Sequence, residues 1–293
     1  MNTVSSNTRV GFIGLGIMGS SMAGHILAAG YPLNVYNRSR DKADALVAKG
    51  AVWHATPGEV AAVSDVVITM LGYPHDVEQV YLGDDGLVAR SAPGAILIDM
   101  TTSSPALAER IAEQAAQKGL QAIDAPVSGG DAGARDAKLA IMVGGSQAAF
   151  HAALPVLQKM GTNIVLQGGP GAGQHTKMCN QIVIASTIVG VCEGLAYADK
   201  AGLDPDTVLK SIGGGAASGF QLNVMGGRIL QNNFAPGFYM EHFIKDLGIA
   251  LAEAARMQLD MPGLALAKKL YDQLAAEGYG RSGTQALYKY YKK

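Results

Sequence analysis

Val10-Gly11-Phe12-Ile13-Gly14-Leu15-Gly16-Ile17-Met18-Gly19 sets a four-residue apolar run against a glycine-rich turn, with helix-forming residues directly behind it (residues 20–29, SSMAGHILAA). A G-x-G-x-x-G between a strand and a helix is the phosphate-binding turn of a dinucleotide fold, and this context is what makes the pattern specific. Each glycine has its own reason. Gly14 permits the tight turn, Gly16 lets the backbone approach a pyrophosphate, and Gly19 allows close helix–strand packing, while the helix N-terminus attracts the anion. Gly14, Leu15, Gly16, Ile17, Met18 and Gly19 are therefore expected to bind a dinucleotide cofactor.

Working outward, short apolar runs recur at 33–36, 66–70, 96–100, 120–124 and 139–143. Helix-like stretches alternate with them at 19–29, 40–49, 57–64, 76–80, 105–118 and 147–160, the alternation of a parallel α/β sheet. The pattern changes after Gly168-Gly169-Pro170-Gly171-Ala172-Gly173. Residues 174–201 carry no proline, and a helix of that length would extend about 42 Å, longer than a crossover needs. Further helices are expected at 206–212, 238–258, 262–277 and 282–291. The fold expected is α/β: a Rossmann dinucleotide-binding domain, residues 1–170, followed by an all-α domain, residues 171–293, entered through a long interdomain helix.

Composition excludes several classes. With 293 residues, 48% apolar and 16% charged against a typical charged share of about 25%, the chain reads as compact and not disordered. Its 23 basic and 24 acidic residues leave a net charge of -1, so no field is available to hold nucleic acid or a membrane surface. The start, MNTVSSNTRV, has no basic and apolar leader pattern, and a cytoplasmic protein is expected. Residues 182–198 contain Ser186, Thr187 and Glu193 and fall short of the roughly 20 apolar residues that span a bilayer, which suggests a buried helix. Cys179 and Cys192 are too few and too far apart for a disulfide framework or a zinc motif, and are expected as buried thiols in a reducing compartment. The six histidines have no metal-ligand spacing, so no metal is expected.

Cofactor selectivity is read about 20 positions past the glycine turn, where an acid would bind the ribose 2′-hydroxyl. Here stand Asn37, Arg38 and Ser39, then Arg40. A carboxylate repels a 2′-phosphate and a guanidinium pairs with it, so NADP(H) is expected to be preferred, with NAD(H) possible.

Three further segments carry chemistry. Lys177 and Asn180 lie at i and i+3 of the long helix, behind the glycines and among Met178, Cys179 and residues 182–184, an apolar setting that would depress a lysine pKa. In Asp124-Ala125-Pro126-Val127-Ser128-Gly129-Gly130, a hydroxyl followed by two glycines suits a small carboxylate. Phe243-Ile244-Lys245-Asp246-Leu247 puts a charged pair in an apolar helical stretch.

Together these segments, in this order and over essentially the whole chain, resemble the β-hydroxyacid dehydrogenase family, also called the 3-hydroxyisobutyrate dehydrogenase-like family. The turn Asn37-Arg38-Ser39 looks most like its NADPH-using glyoxylate and succinic semialdehyde reductase branch. The resemblance implies that Lys177 is the general acid for carbonyl reduction and the base for alcohol oxidation, with Asn180 and Ser128-Gly129-Gly130 orienting a small carboxylated substrate. It implies that Thr102 lies on the nicotinamide side, that Met70 and Leu71 wall the adenine ribose, and that Lys245 closes over the cofactor. Phe220, Phe238 and Tyr239 are the positions that would sort substrates, and the helical domain would form a homodimer or homotetramer. Three alternatives stand beside this reading. One is oxidation of 3-hydroxyisobutyrate or another 3-hydroxy acid, and another is a catalytically silent NADPH-binding module. The third is imine reduction, which the lysine disfavours.

Overall fold

Nine strands form one sheet among the described residues, 7–292 of the computed structural model. They are β1 (Val10–Ile13), β2 (Leu33–Tyr36), β3 (Val52–Trp53), β4 (Val66–Thr69), β5 (Ile96–Asp99), β6 (Gln121–Asp124), β7 (Val127–Ser128), β8 (Leu139–Gly144) and β9 (Gly161–Gly168). Residues 1–6, on which part of the leader reading rests, lie outside the described residues. The strand order is β3-β2-β1-β4-β5-β6-β8-β7, with β9 on β8. Strands β1 to β6 pair in parallel, β8 runs antiparallel to β6 and β7, and β9 is parallel to β8.

Strands β1, β4 and β5 are buried at every position, which is why they read as continuous apolar runs and not as alternations. Alternate side chains feed two cores. Phe12, Ile68 and Ile98 enter one, while Ile13, Val67 and Leu97 enter the other. The chain reverses its direction of winding between β1 and β4, and such a switch point opens a ligand crevice beyond the carboxyl ends of the strands. Register aligns those ends in a row: Ile13 pairs with Thr69, Thr69 with Asp99, and Asp99 with Asp124.

The chain divides into two compact units, Met1–Lys177 and Met178–Lys293. This division falls inside the long helix, Ala172–Lys200. The physical reason is a set of buried hydrogen bonds that holds the first helical turn to the sheet of the first unit, through Asp124 and Gln174. In the second unit, Ala185, Ile188, Cys192 and Leu195 of this helix pack with Phe243 and Leu247 of helix Met240–Arg256 and with Leu264, Tyr271 and Leu274 of helix Pro262–Leu274. Phe243 meets Tyr271 edge-on, with centroids 5.2 Å apart. Asp204 caps helix Pro205–Ile212 by accepting from the Asp206 and Thr207 N–H groups.

Two expectations are corrected here. By length and composition the whole helix Ala172–Lys200 is long and apolar enough to cross a membrane, where residues 182–198 alone were expected to fall short. Buried positions at 178, 185, 188, 191, 192 and 195 nevertheless form one stripe into the unit's core, as in the core helix of a globular domain. Of the two cysteines only Cys192 is buried, and burial pushes its thiol pKa up; Cys179 is exposed because its position turns away from that stripe.

Candidate active site

The glycine turn has the construction its residues require. Gly14 adopts a φ of +96°, and a Cβ there would collide with the Met70 carbonyl. A Cβ on Gly19 would collide with the Gly14 carbonyl. Gly16 differs, since no protein atom lies within 4 Å of where its Cβ would be. It is the N-cap of helix Ile17–Ala28 and offers no side-chain cap, and no acid occupies the first turn. The N–H groups of Ile17, Met18 and Gly19 therefore precede the first helical hydrogen bond, and Gly16 before them faces open space, an arrangement that fits a pyrophosphate. Leu15 instead braces the turn from within, with its side chain buried and its N–H donating to Asn37 Oδ1 at 2.8 Å.

At the end of β2, Asn37 is committed to this turn, because its amide also donates to the Ser39 carbonyl at 2.8 Å. Arg38 and Ser39 are exposed. The Arg40 guanidinium lies 4.9 Å from the centroid of the Trp53 ring, which holds it along β3. Met70 and Leu71 are half-buried beyond β4, and the Leu71 N–H donates to Thr101 Oγ1 at 2.8 Å. Thr102 follows, also half-buried.

Behind these loops lies a buried carboxylate network that the sequence reading did not single out. Asp99 Oδ1 accepts from the Thr69 hydroxyl at 2.8 Å and from the Thr101 N–H at 3.0 Å, and Thr69 Oγ1 also meets the Tyr81 hydroxyl at 3.0 Å. Burial raises the Asp99 pKa to about 6, against the opposing pull of the threonine hydrogen bonds. The folded state thus binds more protons than the unfolded chain between pH 3.8 and about 6, and this group's contribution to stability falls as pH rises through that window. Asp99→Asn keeps the oxygen that accepts both hydrogen bonds and removes the titration. Urea unfolding at pH 4.5 and 6.5 is expected to show the wild type losing about 2 kcal/mol relative to this variant. Parallel pH dependences would refute the shift.

Lys177 is buried at 7% exposure, and its Nζ donates to the Val127 carbonyl at 2.8 Å. Val127 and Ser128 form β7, antiparallel to β8; Ser128 is half-buried. Gly129 and Gly130, with φ of +135° and +63°, turn the chain into helix Gly130–Arg135. The structure thus brings Lys177 to the segment that carries Ser128. Gln174, fully buried one turn before Lys177, accepts from the Ser103 N–H at 3.0 Å and donates to the Thr101 carbonyl at 2.7 Å.

In the second unit, Asn180 Nδ2 donates to Gln181 Oε1 at 2.7 Å, and Gln181 Nε2 donates to Asp246 Oδ2 at 2.6 Å. Lys245 Nζ lies 3.0 Å from Asp246 Oδ1. Asn180 and Lys245 are therefore joined through Gln181 and Asp246, both 1% exposed or less. The only sequence sign of these links was a polar residue inside an apolar helical stretch, which is a weak signal because a surface polar residue looks the same.

Comparison with known proteins agrees with this architecture. Residues 9–169 match the family model described as the NAD binding domain of 6-phosphogluconate dehydrogenase, and residues 171–291 match NAD-binding of NADP-dependent 3-hydroxyisobutyrate dehydrogenase. The chain is 57% identical over 284 residues to the uncharacterized oxidoreductase YkwC of Bacillus subtilis (strain 168), covering 97% of this chain and 99% of the relative. It is 40% identical over 279 residues to 2-hydroxy-3-oxopropionate reductase of Escherichia coli (strain K12), covering 95% of each. Among solved structures, 3-hydroxyisobutyrate dehydrogenase of Mycobacterium tuberculosis with L-serine superposes with a TM-score of 0.90 at 31% identity, covering 97% of this chain and 98% of that one. Psf3 in complex with NADP+ and 2-OPP superposes at 0.86 and 28% identity, covering 96% and 99%.

Proposed function

The chain is an oxidoreductase belonging to the β-hydroxyacid dehydrogenase family, and from that premise we propose that it is an NADPH-dependent reductase of small aldehydes and 2-oxo acids bearing a carboxylate. Glyoxylate, succinic semialdehyde and tartronate semialdehyde are the substrates of this kind. The observation that carries the reading is the buried Lys177 side chain, whose Nζ donates to the Val127 carbonyl, one residue from Ser128.

Bound NADPH supplies the hydride that reduces the carbonyl carbon. Lys177 stabilises the negative charge growing on the carbonyl oxygen and gives that oxygen its proton, yielding the hydroxy acid. Ser128, Gly129, Gly130 and Asn180 orient the substrate and its carboxylate. The Gly14–Gly19 turn holds the pyrophosphate, Arg38 with Ser39 holds the 2′-phosphate while Asn37 shapes the turn beneath it, and Met70, Leu71, Thr102 and Lys245 complete the cofactor site. The working protein is a homodimer or homotetramer.

The test is oxidation of NADPH and, separately, NADH against glyoxylate, succinic semialdehyde, tartronate semialdehyde and methylmalonate semialdehyde. NADPH-dependent turnover of at least one, slower by about tenfold or more with NADH, is the expected result, since the phosphate pairing is worth about 1.5–3 kcal/mol. A second reading, oxidation of a 3-hydroxy acid, is favoured by the structural relative with L-serine, itself a 3-hydroxy acid. Faster oxidation of 3-hydroxyisobutyrate, L-serine or L-threonate than any reduction would put that reading first. Binding of NADPH with no turnover in either direction would refute both.

A further inference from the structure

The helix that carries Lys177 begins against a carboxylate. Asp124, at the end of β6, is 4% exposed; its Oδ1 accepts from the Gly171 N–H at 2.8 Å and its Oδ2 from the Gln174 N–H at 2.7 Å. The space around it is cleared by glycines. A Cβ on Gly144 would collide with Asp124 Oδ1, and one on Gly173 would stand 2.8 Å from Oδ2. Three residues beyond Asp124 is Val127, and three beyond Gln174 is Lys177, the next bonded pair across the same two segments. A carboxylate facing the first helical N–H groups is also favoured by the helix dipole.

We infer that Asp124 is a positioning residue for proton transfer: by clamping the first turn of the helix it holds Lys177 Nζ on the Val127 carbonyl, where an ammonium is favoured. This rests on the assignment of Lys177 as proton donor. The ionisable groups around the clamp are Asp99, paired with Asp124 across the sheet, Glu109, whose side chain lies beside Gly171, and His175 on the helix itself. Burial raises the pKa of both Asp99 and Asp124, and the Asp124 charge raises that of Asp99 further, while the backbone N–H groups of Gly171 and Gln174 oppose the rise at Asp124 by favouring its carboxylate.

Asp124→Asn in the full chain places an amide donor opposite one of two N–H donors and removes the charge. Its kcat is expected to fall on the order of 10- to 100-fold, the usual cost of a displacement near 1 Å, with KM for NADPH within about twofold. Reduction needs the ammonium, and an ammonium without its carbonyl acceptor loses its proton more easily. The alkaline limb of the kcat–pH profile should therefore move down by about one unit. Asp124→Ser, which keeps one acceptor in less space, should move the same limb the same way. In a Lys177→Ala background the Asp124 change should add no further loss, because it acts through the lysine.

An unmoved limb in a folded variant, or an additive loss in the double variant, overturns the inference while leaving Lys177 in its role. Normal turnover by Lys177→Ala alone overturns the proton-donor assignment instead. If neither Asp124 variant folds, amide exchange in the wild type decides. Gly171 and Gln174 N–H groups as slow as those of β5 support the clamp, and exchange at the rate of an exposed turn refutes it.

Discussion

Lys177→Ala is expected to lower kcat on the order of 10²- to 10⁴-fold while NADPH affinity stays within about twofold. The loss has two parts. In the proposed role of Lys177 the variant lacks both the proton donor for the carbonyl oxygen and the positive charge that the developing oxyanion would meet. In barrier height the range is about 3–5 kcal/mol. Cofactor binding is spared because the glycine turn and the end of β2 are built from other residues, with Leu15 and Asn37 tied to each other and not to the lysine. Lys177→Arg should not rescue the rate, since a guanidinium does not release its proton near neutral pH and its fork does not fit the single Val127 carbonyl. Turnover assays paired with fluorescence titration of NADPH read both quantities. Near-normal turnover, or a loss confined to NADPH binding, would refute the assignment.

Arg38→Asp should reverse the cofactor preference. A charge-assisted hydrogen bond to phosphate is worth about 1.5–3 kcal/mol, and replacing the cation with a carboxylate adds repulsion. On the order of a 10²-fold fall in kcat/KM for NADPH is expected, with kcat/KM for NADH unchanged or higher because the new acid can accept from a ribose 2′-hydroxyl. Arg38 is the residue to change, since Asn37 is engaged by Leu15 and Ser39, and Arg40 lies over Trp53. Equal kcat/KM values for the two cofactors in the wild type would remove the basis of the prediction.

The parts of the fold that were legible are those whose cause is local. Strands β1, β2, β4, β5, β6 and β8 announce themselves because burial on one or both faces demands apolar residues at fixed spacing. Strands β3 and β7, two residues each, and β9, exposed along most of its length, were not foreseen. Short edge strands are specified by the ladder they join and carry little pattern of their own. The helix Gly130–Arg135 was hidden in the same way, as a glycine-rich turn.

For the candidate site, residue order alone carries the glycine turn, the absence of an acid after β2, and the lysine behind a glycine cluster, because each is a demand made on a few neighbouring residues. Folding supplies the links between distant ones. Asp124 meets Gly171 and Gln174 across separations of 47 and 50 residues, Lys177 finds Val127, and Gln181 joins Asn180 to Asp246. The pKa of Asp99 follows from its burial and not from its neighbours in the chain. A buried polar group must be paired, but the partner is chosen by the packing of strands and helices in space, and no local spacing encodes that choice.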